Sequence, residues 1–351
     1  MSEDVWSELD TSPSKIESAL RELLVARHRE NASFVAARVL NLIAIVDDEF
    51  RGEIENRLQR LGRFAPSRLI LCRVKQGHTT LDATATVSSE HEDPNPGEIA
   101  LVRERVELRM GPDHLAGLAT IVDALVVSDI ATMAWAPHGH TNGIDAVRRL
   151  SQVVLLDSHD DAEVESALAR ADDLRGDAYV VDLAWLRSTP WRERVAAAFD
   201  PPQHRRALSE ISRVTVRHRP DSAAAGVLFC GWLASRLGWR PESLLQQGDA
   251  RKGHARAKRG DVQLVLEPVD VSSPGLGGVT IECASGECVS LDRGVGGLTE
   301  IRRDRKGTER CFKVLGASRG EAGILGEGVR QALLRDHTYA PALRAARELV
   351  G

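Results

Sequence analysis

The chain has 351 residues, of which 42% are hydrophobic, and its 46 basic and 51 acidic side chains give a formal net charge of −5. This length favours two domains, and the composition allows each of them to bury a core of its own. The near balance of charge argues against nucleic-acid binding, which usually needs a basic domain.

The sequence also shows no sign of export or of membrane insertion. The N-terminal stretch "MSEDVWSELDTS" is acidic and lacks the basic and apolar regions of a secretory signal. No apolar run approaches the roughly 20 residues that a membrane helix needs. Five scattered cysteines are typical of reduced thiols rather than of a disulfide framework: Cys72, Cys230, Cys283, Cys288 and Cys311. The sequence therefore predicts a cytoplasmic protein.

The first elements alternate between helix and strand. Pro13 predicts the start of a helix, and the apolar runs 38–48 and 66–74 predict buried strands. Between them, 49–62 is an amphipathic helix that Gly62 is expected to cap. This β-α-β order favours parallel pairing with a right-handed crossover.

The next segments interrupt this alternation and then restore it. Residues 81–88 and 98–110 alternate apolar and polar side chains, which predicts strands with one wet face and a polar loop between them. Further elements are predicted in chain order: a helix at 112–126, a strand at 129–136, a helix at 143–150, a strand at 151–158, a helix at 160–174 and a strand at 177–183.

The second half has a different pattern. Residues 221–239 predict a mostly apolar, central helix, and helices are predicted again at 319–336 and 339–351. Between about 255 and 316, glycine-rich turns separate short strands, which is typical of an antiparallel meander. The basic stretch 249–261 is interpreted as a mobile, solvated loop.

Together these patterns predict an α/β fold. A mixed, largely parallel α/β sheet domain is expected over 1–175. It is followed over 176–351 by an α+β domain with an antiparallel meander packed by helices.

A search for chemical motifs predicts no catalytic residues, no cofactor and no metal site. There is no phosphate-binding GxxxxGK[ST] motif, no GxGxxG after the first strand and no GxSxG. The glycines at 275–278 and 294–297 lie between meander strands and are attributed to turns. The two histidines of "HGH" (138–140) lack a flanking cluster of cysteines or carboxylates.

The stretch "VVDLAWLRSTPWRERVAAAF" (180–199) holds two of the six tryptophans. Pro190 suits the first position of a helix over 190–199, preceded by a turn or short helix. Trp191 lies on the apolar stripe of that helix, which predicts a place in the core. For Asp182, Trp185 and Arg187, structural and functional roles are both open.

The pattern D-L-A-W-x-R-x-x-x-W-R at 182–192 resembles the start of the C-terminal domain in the glucose-6-phosphate dehydrogenase assembly proteins, the OpcA family. Four further segments resemble the same family in the same order: 37–46, 66–74, 128–137 and 226–239. The resemblance extends from about residue 35 to at least residue 240.

Membership of this family implies a non-catalytic protein. It would bind glucose-6-phosphate dehydrogenase, promote the active oligomer of that enzyme and support the oxidative pentose phosphate pathway with its NADPH supply. The signature positions then become candidates for partner binding or for a domain junction: Asp182, Trp185, Arg187, Trp191 and Arg192. In cyanobacterial members cysteines are linked to redox control, but the five cysteines here show no pairing in sequence.

Two other interpretations stay open. The first is an enzyme or sensor that binds a sugar phosphate or nucleotide at the strand ends of the N-terminal domain, where open α/β sheets place ligands. Its candidates are Arg68, Asp47, Asp48 and the "HGHTNG" loop (138–143). The second is a scaffold protein with an unrelated partner.

Overall fold

The computed structural model describes residues 2–31, 33–36, 38–61, 67–89, 100–159, 161, 163–315 and 320–351. These residues form two compact units. The first unit comprises Met1–Leu156 and Leu174–Val181, and the second unit comprises Asp157–Asp173 and Asp182–Gly351. Because the division is not a single cut along the chain, the boundary near residue 175 stays a prediction.

The first unit is built on one mixed sheet. Its strands are β1 Ser2–Glu8, β2 Phe34–Val35, β3 Leu40–Asp47, β4 Ser67–Val74, β5 Asp82–Ser89, β6 Ala100–Met110, β7 Ala131–Trp135, β8 Val153–Leu156 and β9 Tyr179–Asp182. Its α-helices among the described residues are α1 Pro13–Glu30, α2 Arg51–Leu61, α3 Leu118–Asp123 and α4 Thr141–Val147.

The strand order of this sheet is β1-β5-β6-β4-β3-β7-β8-β9, with β2 beside β6. Strands β6, β4, β3, β7 and β8 pair in parallel, whereas β1, β5 and β6 pair antiparallel. The first seven residues of β3 are buried, as its continuous apolar run predicts for a strand covered on both faces. The mixed, largely parallel sheet is therefore confirmed.

In the first unit one strand was not predicted, and one predicted helix was wrong. The acidic N-terminus forms strand β1, which pairs along its whole length with β5. The helix expected over 112–126 is a 3-10 helix (Pro112–Gly117) followed by the short α3. The predicted polar loop after β5 and the predicted cap Gly62 lie outside the described residues.

The second unit combines helices with a second sheet. Its α-helices among the described residues are α5 Val164–Leu174, α6 Leu183–Arg187, α7 Thr189–Phe199, α8 Pro202–Arg205, α9 Ala223–Leu237, α10 Gly320–Leu334 and α11 Tyr339–Val350. Its strands are β10 Ile211–His218, β11 Arg240–Pro241, β12 Leu245–Gln247, β13 Ala250–Ala257, β14 Gly260–Pro268, β15 Leu276–Cys283, β16 Cys288–Gly294, β17 Gly297–Arg303 and β18 Glu309–Leu315.

This sheet has the order β11-β13-β14-β10-β15-β16-β17-β18, with β12 beside β13. Strands β15 to β18 form the predicted antiparallel meander. However, β10 enters the middle of the sheet, parallel to β14 and antiparallel to β15. The α/β class is confirmed, whereas the meander is only one part of a mixed sheet.

The basic stretch 249–261 is not the solvated loop that its composition suggested. It forms β13, the following turn and the start of β14, and β13 pairs with β14 at seven positions, from Arg251↔Leu266 to Ala257↔Gly260. Within it, Ala255 is buried while Arg256 is exposed. Backbone pairing with a neighbouring strand therefore outweighs the weak strand propensity of its charged residues.

Helices α9 and α11 pack closely in the second unit. A Cβ atom at Gly231 of α9 would lie 2.3 Å from the carbonyl oxygen of Ala342 and 2.7 Å from the backbone nitrogen of Ala346. Only glycine permits this approach of the two helix backbones. Among the described residues, no helix is both long and apolar enough to span a membrane.

Candidate functional site

Asp182 lies at the point where β9 ends and α6 begins, and its side chain is buried. Its Oδ1 accepts hydrogen bonds from the backbone N–H groups of Ala184 (2.9 Å) and Ser158 (3.1 Å). Its Oδ2 accepts from the hydroxyls of Ser158 (2.6 Å) and Tyr339 (3.0 Å). Burial, together with the nearby charge of Asp157, raises the pKa of Asp182 to about 6. The carboxyl therefore caps α6 and joins three separate segments of the chain.

Trp185 makes a hydrogen bond through its indole N–H and an aromatic contact through its ring. The indole Nε1–H donates to Oδ2 of Asp336 at 2.8 Å, and the ring of Tyr339 lies 5.5 Å away between centroids. The carboxylate of Asp336 also accepts from the backbone N–H (2.8 Å) and hydroxyl (2.6 Å) of Thr338. Although burial opposes ionisation, these hydrogen bonds lower the pKa of Asp336. Trp185 thus connects α6 to the turn before α11.

Arg192 stacks over the ring of the same indole, with its guanidinium carbon 3.4 Å from the ring centroid of Trp185. Its nitrogens donate to the hydroxyls of Ser188 (3.1 Å) and Thr189 (2.8 Å). Burial lowers the pKa of Arg192 to about 10, so the group is still a cation at neutral pH. The Ser188 hydroxyl in turn donates to the carbonyl of Trp185 at 2.7 Å, at the break between α6 and α7.

Arg187 forms a two-pronged ion pair. Its Nη1 and Nη2 donate to the two carboxylate oxygens of Asp157 at 2.8 and 2.6 Å, and both side chains are more than nine-tenths buried. Such fork-to-fork geometry is the strongest form of this pairing and needs the planar guanidinium. Trp191, further along α7, is 2% exposed and lies in the core.

The structure therefore brings Asp182, Trp185 and Arg192 into contact with one another or with shared partners inside the second unit, whereas Arg187 pairs with Asp157. All five side chains are buried or nearly so. No motif pointed to their partners Asp157, Ser158, Asp336 and Tyr339, which lie far from the signature along the chain. A role of the five residues in partner binding or at a domain junction stays a prediction.

The candidates for a ligand site in the first unit do not all converge. At the carboxyl end of β3, Oδ1 of Asp47 lies 3.0 Å from Nε2 of His140, and the Asp47 backbone N–H donates to Nδ1 of His138 at 3.4 Å. Burial lowers the pKa of His138. Asp48 pairs with Arg73 close by. This much of the predicted cluster is present.

Arg68 does not belong to that cluster. It is the second residue of β4, and its Nε donates to Oε2 of Glu104 at 2.7 Å. It pairs in register with Asn41, six residues before Asp47 on β3, which corresponds to about 20 Å along a strand. The inclusion of Arg68 in a site at the carboxyl ends of the strands was therefore wrong.

The thiols offer no reactive nucleophile among the buried positions. Burial raises the pKa of Cys72 and Cys230 to about 12. Burial and the charges of nearby carboxylates raise the pKa of Cys283 to about 12. All five cysteines are free, with Cys311 exposed. Within the described ranges, no three histidine, cysteine, aspartate or glutamate side chains come together in a way that could hold a metal ion.

Comparison with protein families identifies the class of protein. Residues 59–173 match the family model described as the glucose-6-phosphate dehydrogenase subunit N-terminal domain. Residues 178–343 match the corresponding C-terminal domain model. Together the two matches cover most of the chain, and both belong to the same protein family. The chain belongs to the OpcA family of glucose-6-phosphate dehydrogenase assembly proteins.

Curated relatives carry the same family name. The OxPP cycle protein OpcA of Synechococcus elongatus is 26% identical over 243 residues, which are 66% of this chain and 54% of the relative. The OxPP cycle protein OpcA of Nostoc punctiforme is 36% identical over 135 residues, which are 37% of this chain and 29% of the relative. The chain thus spans about half the length of the first of these relatives and less of the second.

Solved structures show a distant likeness in fold. A dehydrogenase from Chromobacterium violaceum aligns over 89% of this chain and 94% of its own, with 12% identity and a TM-score of 0.47. A likeness of this degree carries no inference about activity.

Proposed function

We propose that this chain is a non-catalytic assembly protein that binds glucose-6-phosphate dehydrogenase and promotes the active oligomer of that enzyme. The observation that carries the proposal is the pair of family matches, which together extend over residues 59–173 and 178–343. The names of the relatives support the wider setting of the oxidative pentose phosphate cycle.

The arrangement around the signature is consistent with a protein that acts by binding. The carboxyl of Asp182 accepts four hydrogen bonds, and the carboxylate of Asp157 is engaged by both prongs of Arg187. A general base or nucleophile must instead have an atom free to reach a substrate. We therefore assign these residues to the internal support of the second unit.

An assembly protein needs no reaction of its own, because binding alone moves an equilibrium. If the chain binds the active oligomer of the dehydrogenase more tightly than the free subunit, the oligomer gains population in proportion to that difference in affinity. At chain concentrations 100-fold above the dissociation constant, this linkage amounts to about 2.7 kcal/mol.

The test uses the purified full chain and the glucose-6-phosphate dehydrogenase of the same organism. Their mixture should co-elute at a larger mass than either protein alone, as measured by light scattering. The activity of the dehydrogenase should rise saturably with added chain. A heat-denatured sample of the chain serves as the control. Separate elution together with unchanged activity would show that the proposal is wrong.

The role of the signature is tested in the same assay. Arg187→Lys should leave the surface of the chain almost unchanged, since the Arg187 side chain is only 8% exposed. If the signature acts through internal support, the folded variant should still activate the dehydrogenase at 20 °C while unfolding at lower temperature. Loss of activation in a variant that keeps the wild-type unfolding temperature would instead assign Arg187 to the partner surface.

A further inference from the structure

A cleft of about 310 Å³ opens in the second unit, and no signature residue lines it. It lies between the α7–α8 segment and the ends of two strand hairpins, β15–β16 and β17–β18. Its wall contains apolar, cationic and acidic side chains: Ala198, Phe199, His204, Ala207, Cys283, Glu287, Cys288, Val289, Arg302, Arg303, Asp304, Thr308, Arg310 and Phe312. This volume is at the lower end of the range for small-molecule sites, about 300–1,000 Å³.

Two arginines face each other on one side of this cleft. Arg302 on β17 and Arg310 on β18 are directly paired in the antiparallel register, so their side chains leave the sheet on the same face. Like charges at such positions repel each other and destabilise a sheet. Arg302 is compensated by the buried Glu300, which Arg194 also approaches at 3.5 Å.

Arg310 has no such compensation. Its side chain is exposed, and among the described residues no carboxylate forms an ion pair with it. The acids of the cleft are engaged elsewhere, since Oε1 of Glu287 lies 3.4 Å from Nε of Arg305. Oδ1 of Asp304 accepts backbone hydrogen bonds from Lys306 and Thr308. The pair Arg302–Arg310 therefore leaves an uncompensated cationic position at the cleft, which suits an anion with several oxygens.

Other groups of the cleft are suited to bind the organic part of a ligand that carries this anion. Glu287 lines the cleft with its side chain 16% exposed, so its carboxylate can accept a hydrogen bond from a hydroxyl group. Phe312 is 44% exposed, with the guanidinium carbon of Arg302 5.6 Å from its ring centroid. An exposed aromatic ring beside a cation is a surface on which the apolar face of a sugar ring packs.

We propose that this cleft binds a sugar phosphate, with the phosphate on Arg302 and Arg310 and a sugar hydroxyl on Glu287. The phosphate charge would relieve the repulsion between the two arginines. The size of the cleft admits one monosaccharide phosphate rather than a dinucleotide. This site is separate from the strand ends of the first unit, and its occupation does not depend on the dehydrogenase.

The test is calorimetric titration of the full chain alone with glucose 6-phosphate, ribose 5-phosphate, inorganic phosphate and glucose. At least one sugar phosphate should bind saturably, with one site per chain, and at least tenfold more tightly than inorganic phosphate or glucose. Arg310→Ala should weaken this binding by about 10- to 100-fold, the range expected for loss of a hydrogen bond to a charged group. Arg259→Ala, at an exposed arginine in the β13–β14 turn, should leave it unchanged.

The proposal is wrong if neither sugar phosphate binds saturably, if inorganic phosphate binds equally well, or if Arg310→Ala binds like the wild type. Arg310→Ala should fold, because it removes an exposed side chain and a like-charge contact, and its unfolding temperature should equal or exceed that of the wild type. If that variant fails to fold, Arg310→Lys provides the same comparison, since lysine keeps the charge but loses the fork. Because the dehydrogenase is absent, failure here leaves the assembly function to its own test.

Discussion

Replacement of Asp182 by asparagine separates the charge of this buried carboxyl from its hydrogen bonds. In Asp182→Asn, the amide oxygen can still accept from the backbone N–H groups of Ser158 and Ala184. In the wild type, the hydroxyls of Ser158 and Tyr339 donate to Oδ2 of Asp182. In the variant, the amide nitrogen faces these two hydroxyls. Because a hydroxyl can either donate or accept, both can rotate and accept hydrogen bonds from the amide. The variant therefore keeps the network and loses only the charge.

The expected effect on stability depends on pH. The pKa of Asp182 is about 6 in the folded chain, against a usual value of 3.8. The folded state therefore binds a proton more tightly, so the contribution of Asp182 is complete below about pH 4 and is lost as the pH rises through 6. A difference of this size corresponds to about 3 kcal/mol. Asp182→Asn should match the wild type near pH 4 and be more stable by about 2–3 kcal/mol at pH 7.

Chemical unfolding of both proteins by urea at pH 4, 5, 6 and 7, followed by circular dichroism, measures this difference. Asp182→Ala serves as the control, since it leaves two buried backbone N–H groups without an acceptor. Its free energy of unfolding should lie about 2–5 kcal/mol below that of Asp182→Asn at every pH, because neither variant has a titrating group at this position. If Asp182→Asn is as damaging as Asp182→Ala, or if its effect does not change with pH, the reasoning about the buried charge is refuted.

Three further predictions concern packing, pairing and reactivity. Gly231→Ala should lower the free energy of unfolding by about 1–3 kcal/mol, because its Cβ would press on the backbone of α11, whereas Gly52→Ala, with open space around it in α2, should raise it by about 0.5–1 kcal/mol. Equal effects on thermal unfolding would contradict this. Arg187→Lys should cost roughly 1–2 kcal/mol because one of two charged hydrogen bonds is lost, and Arg259→Lys should cost nothing measurable by the same method. Iodoacetamide should label Cys311 in the folded chain much faster than the buried thiols, and mass spectrometry that finds a buried thiol labelled first would overturn the assignment.

The signature residues gain a physical explanation from these contacts. Each residue type has a distinct task within the second unit: an acidic cap at Asp182, an indole that both donates and stacks at Trp185, and a planar fork at Arg187. The tasks of Trp185 and Arg187 cannot be performed by a merely similar side chain, because they depend on a specific ring and on a planar fork. An internal structural role therefore explains the residue types of the signature without a catalytic function.

Local sequence patterns were sufficient to predict much of the fold. The apolar run of β3, the apolar helix α9 and the glycine-separated strands β15 to β18 were all predicted, because burial and turn formation leave periodic marks within about ten residues of sequence. The break between α6 and α7 was predicted as well, since Pro190 cannot lie inside a helix without strain.

Tertiary structure alone decided the remaining features. Strand β13 exists because a neighbouring strand supplies its hydrogen bonds, although its own residues favour a solvated loop. Trp185 bonds to Asp336 across 151 residues, and Arg302 meets Arg310 only through the register of two strands. Such contacts leave no periodic mark, because the folding of the whole unit, rather than any local preference, brings the partners together. The sequence by itself therefore determined most of the elements and the family of this protein, whereas the packing of those elements determined strand β13, which side chains are buried and which line a cleft.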